Sequence, residues 1–451
     1  MELQYSLSLS IFIILFCLFW FVKQSRSSTK LPPGPWKLPV LGNLHNLVGS
    51  LPHHALRELA RKHGPFMHLQ LGQVSQVIIS SPRMAREIMK SHDLCFAQRP
   101  ELFAMQLLTY GASAIAFAPY GDYWRQTRKV CTIELLSIKR VQSFASIRED
   151  EVWNLIQSIR SSAELINFTA RRMTTNKLKK VRGKVDQILE NIIHEHRQKK
   201  MTQKNGGDES RPREEDLVDV LLRLQQSGSL EFPLTIDNIK SLIWEIFSAG
   251  TDTSSTTVVW AMSEMMKNPR VIEKAQAEVR KLCQGNKGLI HEKDIQRLSY
   301  LKLVIKETLR LHPPVPLLLP RECREACKID GYEIPLKTRV IVNAWAIGRD
   351  PEYWEDAESF IPERFDGNSI DYKGTDFEYI PFGAGRRMCP GIGFGMANVE
   401  LPLANLLYHF DWQLPSGIQP ENVDMTEAFG ATVGKKNDLY LIAIPFTPSL
   451  S

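Results

Sequence analysis

No charged residue lies between Leu3 and Val22, and the stretch from Ile11 to Val22 is wholly apolar. About 20 such residues are what one helix needs to cross a bilayer. Glu2 precedes the stretch in place of a lysine or arginine, and no small-x-small site follows it, which argues against a cleaved signal peptide. Residues 1–22 are therefore expected to form an N-terminal transmembrane helix. Lys23, Arg26 and Lys30 follow, so the positive-inside rule leaves the rest of the chain in the cytoplasm. Residues 23–42 read as a basic and proline-rich hinge, because Pro32, Pro33 and Pro35 lack amide hydrogens and cannot continue a helix. Residues 43–451 form the remaining domain.

Beyond the hinge the apolar spacing is mostly that of helices. It predicts helices over 178–199, 217–226, 236–267, 271–282, 298–311 and 393–409. Alternating, β-branched runs predict a strand pair at 70–80 and further short strands over 328–347. The run 201–216 has almost no apolar residues and reads as an exposed loop. The fold class is mainly α with small β-sheets. No repeat and no second linker divides it, so one large domain is expected although 451 residues at about 150 per domain suggest three.

Composition narrows the partners. Apolar residues at 43% and charged residues at 24% describe an ordinary globular chain. The formal charge of +6 suits an anionic surface and falls short of a nucleic-acid binder, so no nucleic-acid partner is expected. Seven cysteines, an odd number, read as reduced thiols. Cys323 and Cys327 lack the second pair that a structural zinc site needs.

Two glycine motifs fail as nucleotide loops. Gly391, Gly393 and Gly395 lack the final glycine spacing and a leading strand. The run from Gly430 to Lys436 is one residue short and has Lys436 where serine or threonine belongs. The strong signal is Pro381-Phe382-Gly383-Ala384-Gly385-Arg386-Arg387-Met388-Cys389-Pro390-Gly391, followed by an amphipathic helix. A cysteine before a helix N-terminus meets backbone amides and a helix dipole that favour the thiolate, and thiolates ligate metals.

Phe382, Gly385, Arg387, Cys389 and Gly391 resemble the haem-binding loop of the cytochrome P450 superfamily. Three motifs follow that family's order: Ala249 to Ser254 resembles its oxygen-activation motif, Glu307 with Arg310 its E-x-x-R motif, and Pro362 to Phe365 its P-E-R-F motif. LPPGPW, YGDYWRQ, AQAEVRK and LLYHFDW are similar to the plant microsomal branch that contains terpenoid hydroxylases. The resemblance implies haem b with Cys389 as axial thiolate and metal ligand. It implies haem contacts from Trp124, Arg128, Arg321, Phe382, Arg387 and Gly391, with Arg99 as a further candidate. Glu307, Arg310 and Arg364 would clamp the haem loop from the interior. Asp252 and Thr253 would deliver protons to iron-bound oxygen. Gly250 would open space for oxygen and substrate. Electrons would come from NADPH only indirectly, through NADPH-cytochrome P450 reductase in the same endoplasmic reticulum membrane. Lys129, Lys139, Arg140, Arg386, Lys435 and Lys436 would form its docking face.

One departure stands out. After Ile166 to Ala170 the chain passes through Arg171 to Lys177 almost directly into a segment resembling the family's G helix, so the E/F-helix region of several tens of residues is expected to be missing. Three outcomes fit: a membrane-anchored monooxygenase that uses O2 to hydroxylate a small lipophilic plant metabolite of terpenoid type, a shortened haem-binding or inactive product, or an enzyme of the same fold that rearranges or dehydrates its substrate without a reductase.

Overall fold

The computed structural model describes residues 30–161, 165–169, 178–204, 215–228, 230–282 and 288–447. The expected anchor at 1–22, the first part of the hinge and the junction 171–177 lie outside the described residues, as does most of the loop at 201–216. Among the described residues no helix is long and apolar enough to cross a membrane.

The chain runs α1 (Pro52–His63), β1 (Phe66–Leu71), β2 (Val74–Ile79), α2 (Pro82–Arg86), α3 (Phe103–Leu108), α4 (Asp122–Val130), α5 (Ile138–Ser143), α6 (Ala145–Ser161) and β3 (Ile166–Asn167). It continues through α7 (Leu178–Lys204), α8 (Leu217–Ser227), α9 (Ile236–Lys267), α10 (Pro269–Leu282), α11 (Glu292–Ile295) and α12 (Ser299–Leu311). Then come β4 (Arg321–Glu322), β5 (Cys327–Ile329), β6 (Tyr332–Ile334), β7 (Arg339–Val342), α13 (Ala344–Ile347), α14 (Ile392–His409), β8 (Phe410–Gln413), β9 (Glu427–Ala428), β10 (Gly434–Lys435) and β11 (Tyr440–Pro445). The molecule is mainly helical with small sheets, as the apolar spacing predicts.

Two expectations need correction. Residues 344–347 are helical rather than extended, because the Asn343 side chain caps the Ala346 N–H at 3.0 Å and starts a turn. Residues 201–204 continue α7 rather than starting a loop. The proline-rich hinge, where described, is fastened to the domain: His68 N–H donates to Pro33 O at 2.8 Å, and Asn43 Nδ2 donates to the carbonyls of Pro35 and Trp36.

The four-stranded sheet has order β1-β2-β7-β4, with β2 and β7 parallel and the other neighbours antiparallel. It packs one side of the molecule around Val77, Ile79, Phe96 and Val340. The larger core joins α6, the second half of α9, α10, α12 and α14 through Ile156, Met262, Leu301, Leu403 and Leu407. A third cluster joins α4, α7, α8 and the first half of α9. α9 thus links two cores. A capping box fixes its start, with Thr235 Oγ1 accepting from Asn238 N and Asn238 Oδ1 accepting from Thr235 N.

Candidate active site

Cys389 lies between the 3-10 turn Gly385–Arg387 and the start of α14. Its N–H donates to Phe382 O at 3.0 Å and closes the loop. Gly383 and Gly385 make the bend with φ of +70° and +69°. At Gly385 a side chain would meet the Met89 carbonyl oxygen at 2.1 Å, so only glycine fits. Phe382 packs edge-on against Tyr372 with ring centres 5.4 Å apart.

The Cys389 side chain is exposed, yet protein surrounds it densely enough that burial pushes its thiol up. Both facts describe a sulfur at the floor of a recess. The expected influence of the local amide is present, and a second effect opposes it. The Gly391 amide and the Arg128 guanidinium do pull the thiol down, but desolvation is the larger effect. A thiolate at this position calls for a cation against the sulfur.

The middle of α9 is open to solvent. Ala249, Thr251 and Asp252 are exposed although Leu242 and Trp260, at either side along the same helix, are buried. Gly250 has a tighter reason than open space. A Cβ there would lie 2.8 Å from the ring of Phe394, where α14 crosses α9. Thr253 Oγ1 donates to Ala249 O at 2.7 Å, one turn back. The Asp252 carboxylate accepts from Thr432 Oγ1 at 2.5 Å. Thr432 lies in the segment between β9 and β10, distant in sequence, and no pattern in the chain pointed to it.

Glu307, Arg310 and Arg364 meet as expected. Glu307 and Arg310 are completely buried side chains. Arg310 donates to both Glu307 oxygens at 2.7 Å, and Arg364 Nε donates to Glu307 Oε1 at 3.0 Å. Arg310 also donates to the carbonyls of Gly348, Ala357 and Ser359. The group therefore grips residues 348–364 rather than the cysteine loop itself. The tie to that loop is Tyr379, whose hydroxyl donates to Lys306 O at 2.7 Å.

Four guanidiniums surround the recess. Arg128 Nη2 donates to Met388 O at 2.7 Å. Arg387 donates to the carbonyls of Ala97, Ile115 and Ala118 and lies 4.2 Å from the Trp124 ring centre. Arg321 pairs with Asp93 at 3.0 Å and donates to Ala384 O. Arg99 donates to the carbonyls of Ala116, Leu319 and Pro320. The Trp124 indole N–H is used on Ile115 O at 3.0 Å. Two nearby carboxylates, Asp93 and Glu245, carried no signal in the sequence; Asp93 pairs with Arg321, and Glu245 lowers the local excess of positive charge near Arg99 and Arg387. Glu245 accepts the amides of Ile115 and Ala116, and burial pushes its carboxyl up to about 7. Burial and mutual repulsion push Arg387 down to about 9, and burial lowers Arg128 and Arg321 as well. An excess of buried positive charge beside a recessed cysteine fits a dianionic group that offers a metal ion to the sulfur. Haem, with two propionates and an iron, has that chemistry.

The expected docking face is partly corrected. Lys435 is buried, with Nζ donating to Asp424 O and lying 5.3 Å from the Trp260 ring centre. Arg140 is half-buried against the carbonyls of Glu134 and Glu215. Lys129, Lys139, Arg386 and Lys436 are exposed.

A family model described as "Cytochrome P450" matches residues 32–167 and 165–442. The chain is 55% identical to desmethyl-deoxy-podophyllotoxin synthase of Sinopodophyllum hexandrum, over 98% of this chain and 97% of that protein. It is 51% identical to premnaspirodiene oxygenase of Hyoscyamus muticus, over 99% and 100%, and 46% identical to germacrene A hydroxylase of Tanacetum parthenium, over 98% and 99%. A solved zebra fish cytochrome P450 structure with abiraterone superposes with a TM-score of 0.74 at 26% identity, covering 88% of this chain and all of that one.

Proposed function

The chain belongs to the cytochrome P450 family, and we propose that it hydroxylates a small lipophilic terpenoid in the endoplasmic reticulum membrane, with electrons from NADPH through NADPH-cytochrome P450 reductase. The observation that carries the reading is the recessed Cys389 sulfur ringed by Arg128, Arg321 and Arg387. Relatives named for oxidising premnaspirodiene and germacrene A support the substrate class.

In this reading the Cys389 sulfur would hold haem b, and the bound group would supply the activation of dioxygen for insertion of one oxygen atom into substrate. Arg128, Arg321 and Arg387 would hold its propionates, Trp124 backs Arg387, and Phe382 and Gly391 would shape the loop beside the sulfur. Arg99 braces the carbonyls of Ala116, Leu319 and Pro320 behind them. The clamp of Glu307, Arg310 and Arg364 keeps residues 348–364 in place below the loop. Asp252 holds a proton relay at the exposed middle of α9. Its carboxylate takes a proton from solvent and passes it to Thr253 Oγ1, which must leave Ala249 O to donate onward. Exposed Lys129, Lys139, Arg386 and Lys436 attract an acidic reductase surface.

Residues 1–22 serve as a single-pass anchor, with 23–42 as a hinge and 43–451 in the cytoplasm. The E/F-helix region is absent from this chain. Supporting that, the family match breaks at 165–167, and the alignment with the 55%-identical relative spans 496 positions against 451 residues. Asn167 and Leu178 bound β3 and α7 with only residues 168–177 between them. The relay, the haem-facing arginines and the clamp all lie outside that gap.

The test is turnover in membranes with the reductase, NADPH and isotopically labelled dioxygen, using premnaspirodiene and germacrene A as probes. The reading expects a product carrying one labelled oxygen, formed only when reductase and NADPH are both present. Oxidation-state-neutral product formed without either would establish the rearranging or dehydrating alternative instead.

A further inference from the structure

Three cysteines from two segments meet away from the haem site. Cys95 Sγ lies 3.7 Å from Cys323 Sγ, Cys323 Sγ lies 3.9 Å from Cys327 Sγ, and all three sulfurs fall within 4.8 Å of one another. Cys323 is fully buried, Cys95 is buried and Cys327 is half-buried. Cys323 with Cys327 alone carried too few ligands for a metal; the fold supplies the third from 228 residues away.

We propose that Cys95, Cys323 and Cys327 bind a zinc ion as a three-thiolate site, with water in the fourth position. The spacing is the first support. Sulfurs about 2.3 Å from one zinc at tetrahedral angles stand about 3.8 Å apart, which matches the two shortest separations. Two thiols in contact need only packing to explain them, but here a distant cysteine joins a local pair so that all three sulfurs lie within 4.8 Å of one another. The second support is the scaffold. Arg324 N–H donates to Cys95 O at 2.9 Å, Cys323 N–H donates to Thr338 O at 2.9 Å, and Lys337 N–H donates to Cys323 O at 2.8 Å. Cys327 is paired with Ile334 in the β5-β6 hairpin. Backbone bonds therefore hold every ligand, so little chain entropy is lost on binding. The third is access, because the half-buried Cys327 leaves an entry path and room for water.

Without metal, the thiols of Cys323 and Cys95 donate to Glu325 O, at 2.8 and 3.4 Å. Zinc binding forms three Zn–S bonds and releases three thiol protons to solvent, with no change of oxidation state. Soft thiolates select zinc over calcium or magnesium.

The test is metal analysis of the purified full chain in detergent, counted per polypeptide so that it does not depend on haem content or turnover. The expected result is about one zinc per chain, with zinc-edge X-ray absorption giving three sulfurs at about 2.3 Å. Cys327→Ser and Cys95→Ser should each reduce zinc to below about a tenth per chain while leaving the carbon-monoxide spectrum of the haem unchanged. The proposal is overturned by a chain that holds less than about a tenth of a zinc even after equilibration with micromolar zinc chloride. It is also overturned by zinc content that neither substitution changes, or by a disulfide among the three residues in peptide mass analysis.

Discussion

The Asp252 carboxylate is committed to Thr432, and the Thr253 hydroxyl to the carbonyl of Ala249. Both groups lie one exchange of hydrogen bonds away from passing a proton on. In the proposed relay Thr253→Ala removes the last hydroxyl, so product per NADPH should fall at least about tenfold while peroxide rises. Thr432→Val removes the donor that fixes Asp252 and should lower the same ratio by about 3- to 10-fold, with Thr432→Ser restoring it. The ratio of product to peroxide checks both, and an unchanged ratio in Thr432→Val would remove Thr432 from the relay. Asp252 and Thr253 were legible because they sit in one short polar stretch before a haem-loop signature. Thr432 was not, since the contact spans 180 positions and a threonine in a loop carries no periodicity. Lys435 misled for the opposite reason. Sequence shows its charge but not that its ammonium reaches the Asp424 carbonyl beneath the surface.

Among elements, α12 has the most consequential internal contact. Its Glu307 carboxylate receives Arg310, Arg364 and the Ile361 amide while wholly out of water. Glu307→Ala strands two guanidiniums in the interior and should cost about 3–5 kcal/mol. The variant should lose stable haem, measured as haem per polypeptide after purification. Normal haem content would contradict the clamp. The spacing of Glu307 and Arg310 on one helix face predicts their pairing, but burial decides its worth, because the same pair in water would contribute little. The apolar spacing placed the start of α9 at 236, where Thr235 caps the helix and pairs with Asn238 in its first turn. The same reading failed at α13, where the side chain of Asn343 turns an apolar, strand-like run into a helical turn.

For the molecule as a whole, the sites are assembled from distant stretches. Asp93, Arg128, Arg321 and Cys389 come from opposite ends of the chain, and each arginine fastens backbone of another segment. Sequence order and motif identity made the haem-thiolate family legible, since four motifs survive any change in the loops between them. Of the three-cysteine cluster only the Cys323 and Cys327 pair was visible, because Cys95 lies 228 positions from Cys323. The cluster's formation depends on the 92–98 turn meeting the β5-β6 hairpin. The gap proposed before α7 includes none of the residues proposed to face the haem, so the chain is expected to build a complete thiolate site. The most direct measurement is the absorption spectrum of the reduced, carbon-monoxide-bound full chain beside its Cys389→Ser variant. The account predicts the long-wavelength band of a thiolate-ligated haem in the parent chain and its loss in the variant. A parent chain that binds haem without that band, or binds none, would contradict it.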